Sequence, residues 1–308
     1  MRARCLALVA IVCVGAAVAR SQSDRPRFSS HTDVVVLHAT VQDRRGGYVT
    51  GLTKDAFSII EGGRPQTIRF FAAEDAPVTV GLVLDNSGSL QPIRERLVAA
   101  VLGFAATSNP QDELFALTFD EDVRPVLPDD APFTSDIPTL RDALVRALST
   151  RGRTALFDAI MAGLRYLERG HDERKVLVVV SDGGDNASHA AFREVLAGAQ
   201  ASNAVIYTVA LVDPIDRDNN PKRLRALAEA TGGEAFTPSR IDDVADVLKH
   251  IARDIRHTYT LGYVSSNATR DGTYRPIRLV VQPPPGTAVK VRTRAGYVAA
   301  ADRDENRR

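Results

Sequence analysis

The sequence predicts an α/β fold: a doubly wound, mainly parallel six-stranded sheet with an accessory β-sandwich formed by N- and C-terminal strands. Three observations lead there. From Ala76 onward, short apolar runs alternate with helix-length segments, the mark of a mainly parallel sheet. On both sides of that region strand patterns stand without helices. Two of the apolar runs, Val78 to Leu84 and Val176 to Val180, feed straight into polar loops rich in Asp, Ser and Gly.

The chain opens with Met1-Arg2-Ala3-Arg4 and the apolar stretch Cys5 to Val18, which has the form of a secretory signal peptide. Ala17-Val18-Ala19 supplies a small-x-small cleavage site, so residues 1–19 are expected to be removed. The stretch is short of the roughly 20 residues a spanning helix needs, and no later segment reaches that length. Cys13 follows Val12 where a lipoprotein signal requires a small residue. Both cysteines, Cys5 and Cys13, fall in the leader, so the mature chain carries no thiol. A periplasmic or secreted bacterial protein is expected.

Residues 20–75 read as short strands. Asp33 to Asp43 carries Val34-Val35-Val36-Leu37 and then alternation through Ala39 and Val41; Phe57 to Ile60 and Thr67 to Phe71 follow, with turns at Arg44 to Gly47 and Glu61 to Gly63. Three or four strands need a covering partner.

Residues 76–256 form the α/β region. Strands are expected at Val78–Asp85, Glu113–Asp120, Val123–Leu127, Lys175–Ser181, Val205–Leu211 and Glu234–Thr237. Helices are expected at Ile93–Thr107, Ile137–Ser149, Ala155–Glu168, Ala190–Ser202, Pro221–Thr231 and Ile241–Arg256. The second and third strands are too close for a crossover helix and should pair antiparallel at one edge. Residues 257–300 return to strands at Tyr259–Val264, Tyr274–Gln282 and Val289–Thr293, with Pro283 to Gly286 as a turn, before a polar tail at 301–308. These strands are expected to complete the sandwich begun by the N-terminal ones.

Composition sets the bounds. With 308 residues, 44% of them hydrophobic, the chain can bury a substantial core in more than one domain. Removing Arg2 and Arg4 with the leader leaves 37 basic against 38 acidic residues, which gives no reason to expect nucleic acid or an anionic membrane as partner.

The segment Asp85-Asn86-Ser87-Gly88-Ser89 places a carboxylate and two hydroxyls two residues apart at the end of a strand. Such oxygen donors suit Mg²⁺, Mn²⁺ or Ca²⁺ rather than zinc or copper. Gly152-Arg153-Thr154 and Ser181-Asp182-Gly183-Gly184 add a hydroxyl and a second carboxylate. In open α/β sheets ligands gather at the carboxyl ends of the strands, where Asp85, Asp182 and Thr154 converge.

On these residues the region resembles the von Willebrand factor type A domain, whose metal-ion-dependent adhesion site is assembled from three loops of these types. The resemblance implies a Rossmann-like fold over about 180 residues. It further implies Ser87, Ser89 and Thr154 as direct hydroxyl ligands, with Asp85 and Asp182 holding the ion through water or at a varying distance. The open coordination position would be completed by an Asp or Glu carboxylate of a partner protein, and Gly88 would let the backbone turn between the two serines. The whole chain resembles bacterial (acidobacterial) VWFA-related proteins, through Gly51-Leu52-Thr53 before Asp55-Ala56-Phe57 and the closing Arg294-Ala295-Gly296-Tyr297.

Other chemistry finds little support. His31, His38, His171, His189, His250 and His257 form no zinc-ligand spacing, and there is no P-loop or Gly-x-Ser-x-Gly elbow. Asp216-x-Asp218-x-Asn220 begins like a calcium loop, but Pro221 stands where glycine belongs. Asp185, or a carboxylate of that loop, could fill the metal's open position until a partner displaces it. Asn186-Ala187-Ser188 and Asn267-Ala268-Thr269 match a glycosylation pattern by chance. The expectation is an exported, non-enzymatic adhesion or assembly module that engages a protein partner through a bridging Mg²⁺, Mn²⁺ or Ca²⁺. A metal-dependent hydrolase or phosphatase and a metal-independent scaffold are the alternatives.

Overall fold

Strand patterning gives way to alternating strands and helices at Val78 and returns at Thr258, as the sequence predicts. The structure is a computed structural model that describes residues 33–73, 75–147, 152–211 and 219–301. Residues 1–32 (which include the expected leader), most of the acidic loop after Leu211 and the polar tail after Ala301 lie outside the described residues.

The N-terminal strands are β1 (Val34–Asp43), β2 (Phe57–Glu61), β3 (Arg64–Gln66) and β4 (Ile68–Ala72). There follow β5 (Val78–Asp85), α1 (Arg94–Thr107), β6 (Glu113–Phe119), β7 (Val123–Pro125), α2 (Ile137–Ala147), α3 (Leu156–Leu167) and β8 (Arg174–Ser181). The α/β region ends with α4 (Phe192–Ala201), β9 (Val205–Ala210), α5 (Pro221–Thr231), β10 (Ala235–Phe236) and α6 (Asp243–Arg256). The chain then returns to strands in β11 (Thr258–Val264), β12 (Tyr274–Val281), β13 (Val289–Arg292) and β14 (Gly296–Val298).

The six-stranded sheet has the order β10-β9-β8-β5-β6-β7. All its neighbours pair parallel except β6 and β7, which form the expected antiparallel edge. All eight residues of β5 are buried, because helices cover both faces of this central strand. On one face Val80, Leu82 and Leu84 pack with Phe104 of α1, Leu144 of α2 and Leu248 of α6. On the other, Val83, Phe115 and Val179 pack with Ile160 of α3, Val195 of α4 and Leu227 of α5. Gly81 faces that second layer: a Cβ there would stand 2.3 Å from Phe115 Cζ and 2.8 Å from Leu177 Cδ1.

The remaining strands form two four-stranded sheets, β13-β1-β11-β4 and β14-β12-β2-β3, each mixing N- and C-terminal strands. Alternation aims Val35, Leu37, Ala39 and Val41 of β1 inward, opposite Tyr263, Leu261 and Tyr259 of β11, onto Phe57, Ile59 and Ile277 of the second sheet. The result is the accessory sandwich. Gly62 (φ 54°) and Gly63 (φ 81°) make the tight turn joining β2 to β3, a conformation only glycine adopts cheaply.

Three arginines secure the end of the α/β region at which β5 begins, two to the segment that follows β4 and one from β13 of the sandwich. Arg174 donates to the carbonyls of Ile255 (2.6 Å) and Ala76 (3.3 Å), and Arg256 pairs with Asp75 (2.7 Å) and Asp112 (2.8 Å). Arg292 of β13 pairs with Glu234 and with Asp254, which is fully buried and also accepts from Tyr207 (2.5 Å). The loops that carry Asp85, Thr154 and Asp182 lie at the opposite, carboxyl end of β5, roughly 25 Å away at about 3.3 Å per residue.

Candidate functional site

β5 delivers Asp85 as its last residue, and the chain leaves the sheet there because Asn86 N–H bonds the Phe119 carbonyl at 2.8 Å while β6 also ends. The next carbonyl, Asp120, accepts from Ala155 N–H at 2.7 Å. Two consecutive carbonyls at the end of β6 therefore hold the Asp85 loop and the Thr154 loop side by side. Ser87 has extended backbone (φ −63°, ψ 165°) and precedes a 3-10 turn over Gly88–Ile93, which leads into α1. Ser89 lies in that turn; its side chain is outside the described residues. Gly88 opens that 3-10 turn without a positive φ, so the chain turns between the serines in a conformation that does not require glycine.

The positive-φ glycine of the site is Gly183 (φ 84°), directly after Asp182. A Cβ there would also stand 3.0 Å from the backbone C and O of Asn220, so only glycine allows this loop to pass.

Asp85, Ser87 and Asp182 are all buried, as is Ser181. Asp85 Oδ1 accepts from Ser87 N–H at 2.9 Å, and Oδ2 from the Ser181 hydroxyl at 2.7 Å. Asp182 Oδ1 accepts from Gly184 N–H at 2.9 Å. Burial pushes the Asp85 carboxyl up to about 6; hydrogen bonds from Ser87 and Ser181 oppose this, and the neighbouring Asp182 charge adds to it. The Asp182 charge favours the protonated form of Asp85, and a cation beside the two would reverse that effect. Hydroxyls that give their protons to Asp85 keep lone pairs for such an ion. The donor set of carboxylates and hydroxyls therefore fits a hard divalent cation.

Thr154 is held by the loop that follows Asp182. Its N–H donates to Asn186 Oδ1 at 2.9 Å, and its carbonyl accepts from Asn186 N–H (2.9 Å) and Ala187 N–H (3.0 Å). Arg153 closes the same clamp by donating to the Asn186 carbonyl. Two residues on, Ser188 Oγ accepts the Phe157 and Asp158 N–H groups that open α3, at 3.0 and 3.1 Å. Asp185 Oδ1 takes the Ser188 hydroxyl at 2.5 Å and the Phe157 N–H at 3.2 Å, so this carboxylate sits in a capping role at α3.

Asp120 also borders the site. It is 1% exposed, both of its oxygens accept from Arg124 at 2.9 Å, and its Cβ lies 3.2 Å from the position a Cβ on Gly152 would take. Of the histidines, His189 bonds Asp158 (3.1 Å), and His257 stacks on Tyr48 with centroids 4.5 Å apart. Asn186, Ser188 and Asp120 are the site residues that sequence reasoning missed. The only signal was the Asn-x-Ser pattern, whose spacing serves to bridge two loops.

A family model of the von Willebrand factor type A domain matches residues 80–251. Among solved structures, von Willebrand factor type A from Catenulispora acidiphila is 14% identical with a TM-score of 0.50, the match spanning 89% of this chain and 76% of that one. Proximal thread matrix protein 1 from the mussel byssus is 15% identical with a TM-score of 0.51, over 64% of this chain and 51% of that one. The vWF domain of the type V pili tip protein Mfa5 from Porphyromonas gingivalis is 15% identical with a TM-score of 0.47, over 59% and 96% of the two chains. At these identities the likeness is one of fold. No curated protein matches.

Proposed function

Because the chain belongs to the von Willebrand factor type A family, we propose that it is an exported, non-enzymatic adhesion or assembly module that engages a protein partner through a divalent cation. Asp85, Ser87, Ser89, Thr154 and Asp182 would hold Mg²⁺, with Mn²⁺ or Ca²⁺ accepted by the same donors, and an Asp or Glu carboxylate of the partner would complete the shell. When bound, the ion supplies a fixed positive charge for that carboxylate. The chain's own residues do the positioning: the β6 carbonyls and the Asn186 clamp bring three loops to one edge.

The observation that carries this reading is the Asp85–Asp182 pair, two buried carboxylates at the carboxyl end of the central strands, with the Asp182 charge bearing on Asp85. A metal-dependent hydrolase would need a general base beyond that pair. The nearest described candidates are engaged elsewhere, Asp120 by Arg124 and Asp185 at the start of α3, which favours binding over catalysis.

Titration calorimetry of residues 20–308 with Mg²⁺, Mn²⁺ and Ca²⁺ tests the proposal, beside Asp85→Ala and Ser87→Ala. Saturable binding by the wild type, lost in both variants, is expected. Folded wild-type protein that binds none of the three ions would sink the bridging mechanism.

A further inference from the structure

At the junction of α5 with β12 and β13 lies an open groove of about 510 Å³, well removed from the metal loops. Five basic side chains line it against two acidic ones, although the whole chain carries a formal charge of only +1. Arg292 is neutralised by Glu234 and Asp254. Arg225, Arg278 and Lys290 are exposed and make no ion pair among the described residues. Arg294 is 6% exposed, and among the described residues its guanidinium meets only the carbonyls of Gln200 (2.5 Å) and Gly296 (2.8 Å) and the Asn203 amide oxygen (3.3 Å). A buried arginine without a carboxylate leaves a charge that its surroundings do not cancel. Beside it, the Thr293 hydroxyl is buried with no hydrogen-bond partner.

Backbone runs along the same groove. β13 pairs with β1 on one side, from Val289 opposite Asp43 to Arg292 opposite Thr40, and is the edge of its sheet on the other. An edge strand presents unpaired N–H and C=O groups at strand spacing. Unpaired cations on both walls and an open strand edge along one of them match a ligand that is both extended and acidic.

We propose that this groove binds an extended, acid-rich peptide segment of a protein partner, laid along the free edge of β13 with its carboxylates meeting Arg225, Arg278 and Lys290. The site is separate from the metal loops and works without an ion.

Fluorescence anisotropy of the full chain tests this, using a labelled peptide of about twelve residues that alternates Glu with Thr, in about 50 mM salt. The expected result is saturable binding that weakens with added salt and is unchanged by EDTA or by Asp85→Ala. Combined Arg225→Glu, Arg278→Glu and Lys290→Glu substitutions, all at exposed positions that leave folding intact, should weaken it about tenfold or more. Arg141→Glu with Arg146→Glu, exposed on α2 and outside the groove lining, should not. A Glu-Pro peptide of equal charge, which cannot donate main-chain hydrogen bonds, should also bind about tenfold more weakly. The proposal is overturned if the wild type does not bind the Glu-Thr peptide, if the triple variant binds it as well as the wild type, or if the Glu-Pro peptide binds equally. Tight binding of tripolyphosphate without binding of the peptide would assign the groove to small anions and overturn it too.

Discussion

Asn186→Ala removes one acceptor from the junction of the Thr154 and Asp182 loops and leaves the rest of that junction in place. The backbone bonds from Asn186 and Ala187 to the Thr154 carbonyl survive, while the Thr154 N–H loses the 2.9 Å bond to Asn186 Oδ1. Thr154 is 8% exposed, so water replaces that acceptor poorly. A buried N–H left without a partner costs about 1–3 kcal/mol, and urea unfolding in EDTA should show a loss of that size. On the proposed ligand role of Thr154, removing the group that orients it should lower Mg²⁺ affinity about 10–100-fold, or about 1.4–2.7 kcal/mol, which calorimetry reads against the wild type. Asn186→Asp keeps an oxygen where Thr154 needs one and should restore most of the stability. An unchanged urea midpoint for Asn186→Ala would refute the energetic weight given to the bond. A lowered midpoint with unchanged Mg²⁺ affinity would refute the link from this clamp to the ion.

Other consequences are open to measurement. Arg292→Met strands the fully buried Asp254 without its cation and should cost about 3–5 kcal/mol in urea unfolding, with Asp254→Asn in the same chain recovering more than half; no recovery would place the cost in packing instead. Without metal, the folded chain holds the Asp85 proton up to about pH 6 while the unfolded chain releases it near 3.8. Its stabilising contribution is thus complete below about pH 4 and lost as pH rises through 6, some 3 kcal/mol in all, and Asp85→Asn should flatten that slope in EDTA; parallel wild-type and variant curves would contradict it. Gly81→Ala forces a methyl against Phe115 and Leu177 and should cost about 1–3 kcal/mol; an unchanged thermal midpoint would mean the layer yields freely.

The α/β region was legible because its signals are local. The expected strand Val78–Asp85 matches β5 residue for residue, and the helices fall within a few residues of their expected bounds. The start of α1 is a difference: a 3-10 turn containing Pro92, which has no N–H to give, stands before Arg94. Among the last strands the pattern showed which face was buried but not which strand lay alongside. Pro283 to Gly286 joins β12 to β13, yet β12 pairs with β2 and β13 with β1, so that turn crosses between sheets. A period of two carries no information about neighbours. The site divides in the same way. Asp85 and Asp182 could be placed from strand ends, whereas Asn186, Ser188 and Asp120 act through loops that only the folded chain brings together. Arg174, Arg292 and Arg294 resemble surface residues in sequence because their partners lie far along the chain.

β4 and β11 are antiparallel neighbours, with Phe71 opposite Leu261, and everything between them in the chain is the α/β region. That whole region takes the part a two-residue turn plays in an ordinary hairpin. During synthesis β1 appears long before its partner, since Val34 pairs with Val264; at about 5–20 residues per second the wait is on the order of tens of seconds. If the α/β sheet folds as a unit in the meantime, its completion would bring Asp75 and Arg256 to their 2.7 Å contact and set β4 beside β11. On that order, loop closure for the sandwich would already be accomplished. Damage to the inserted sheet should therefore register as failure of the strands outside it.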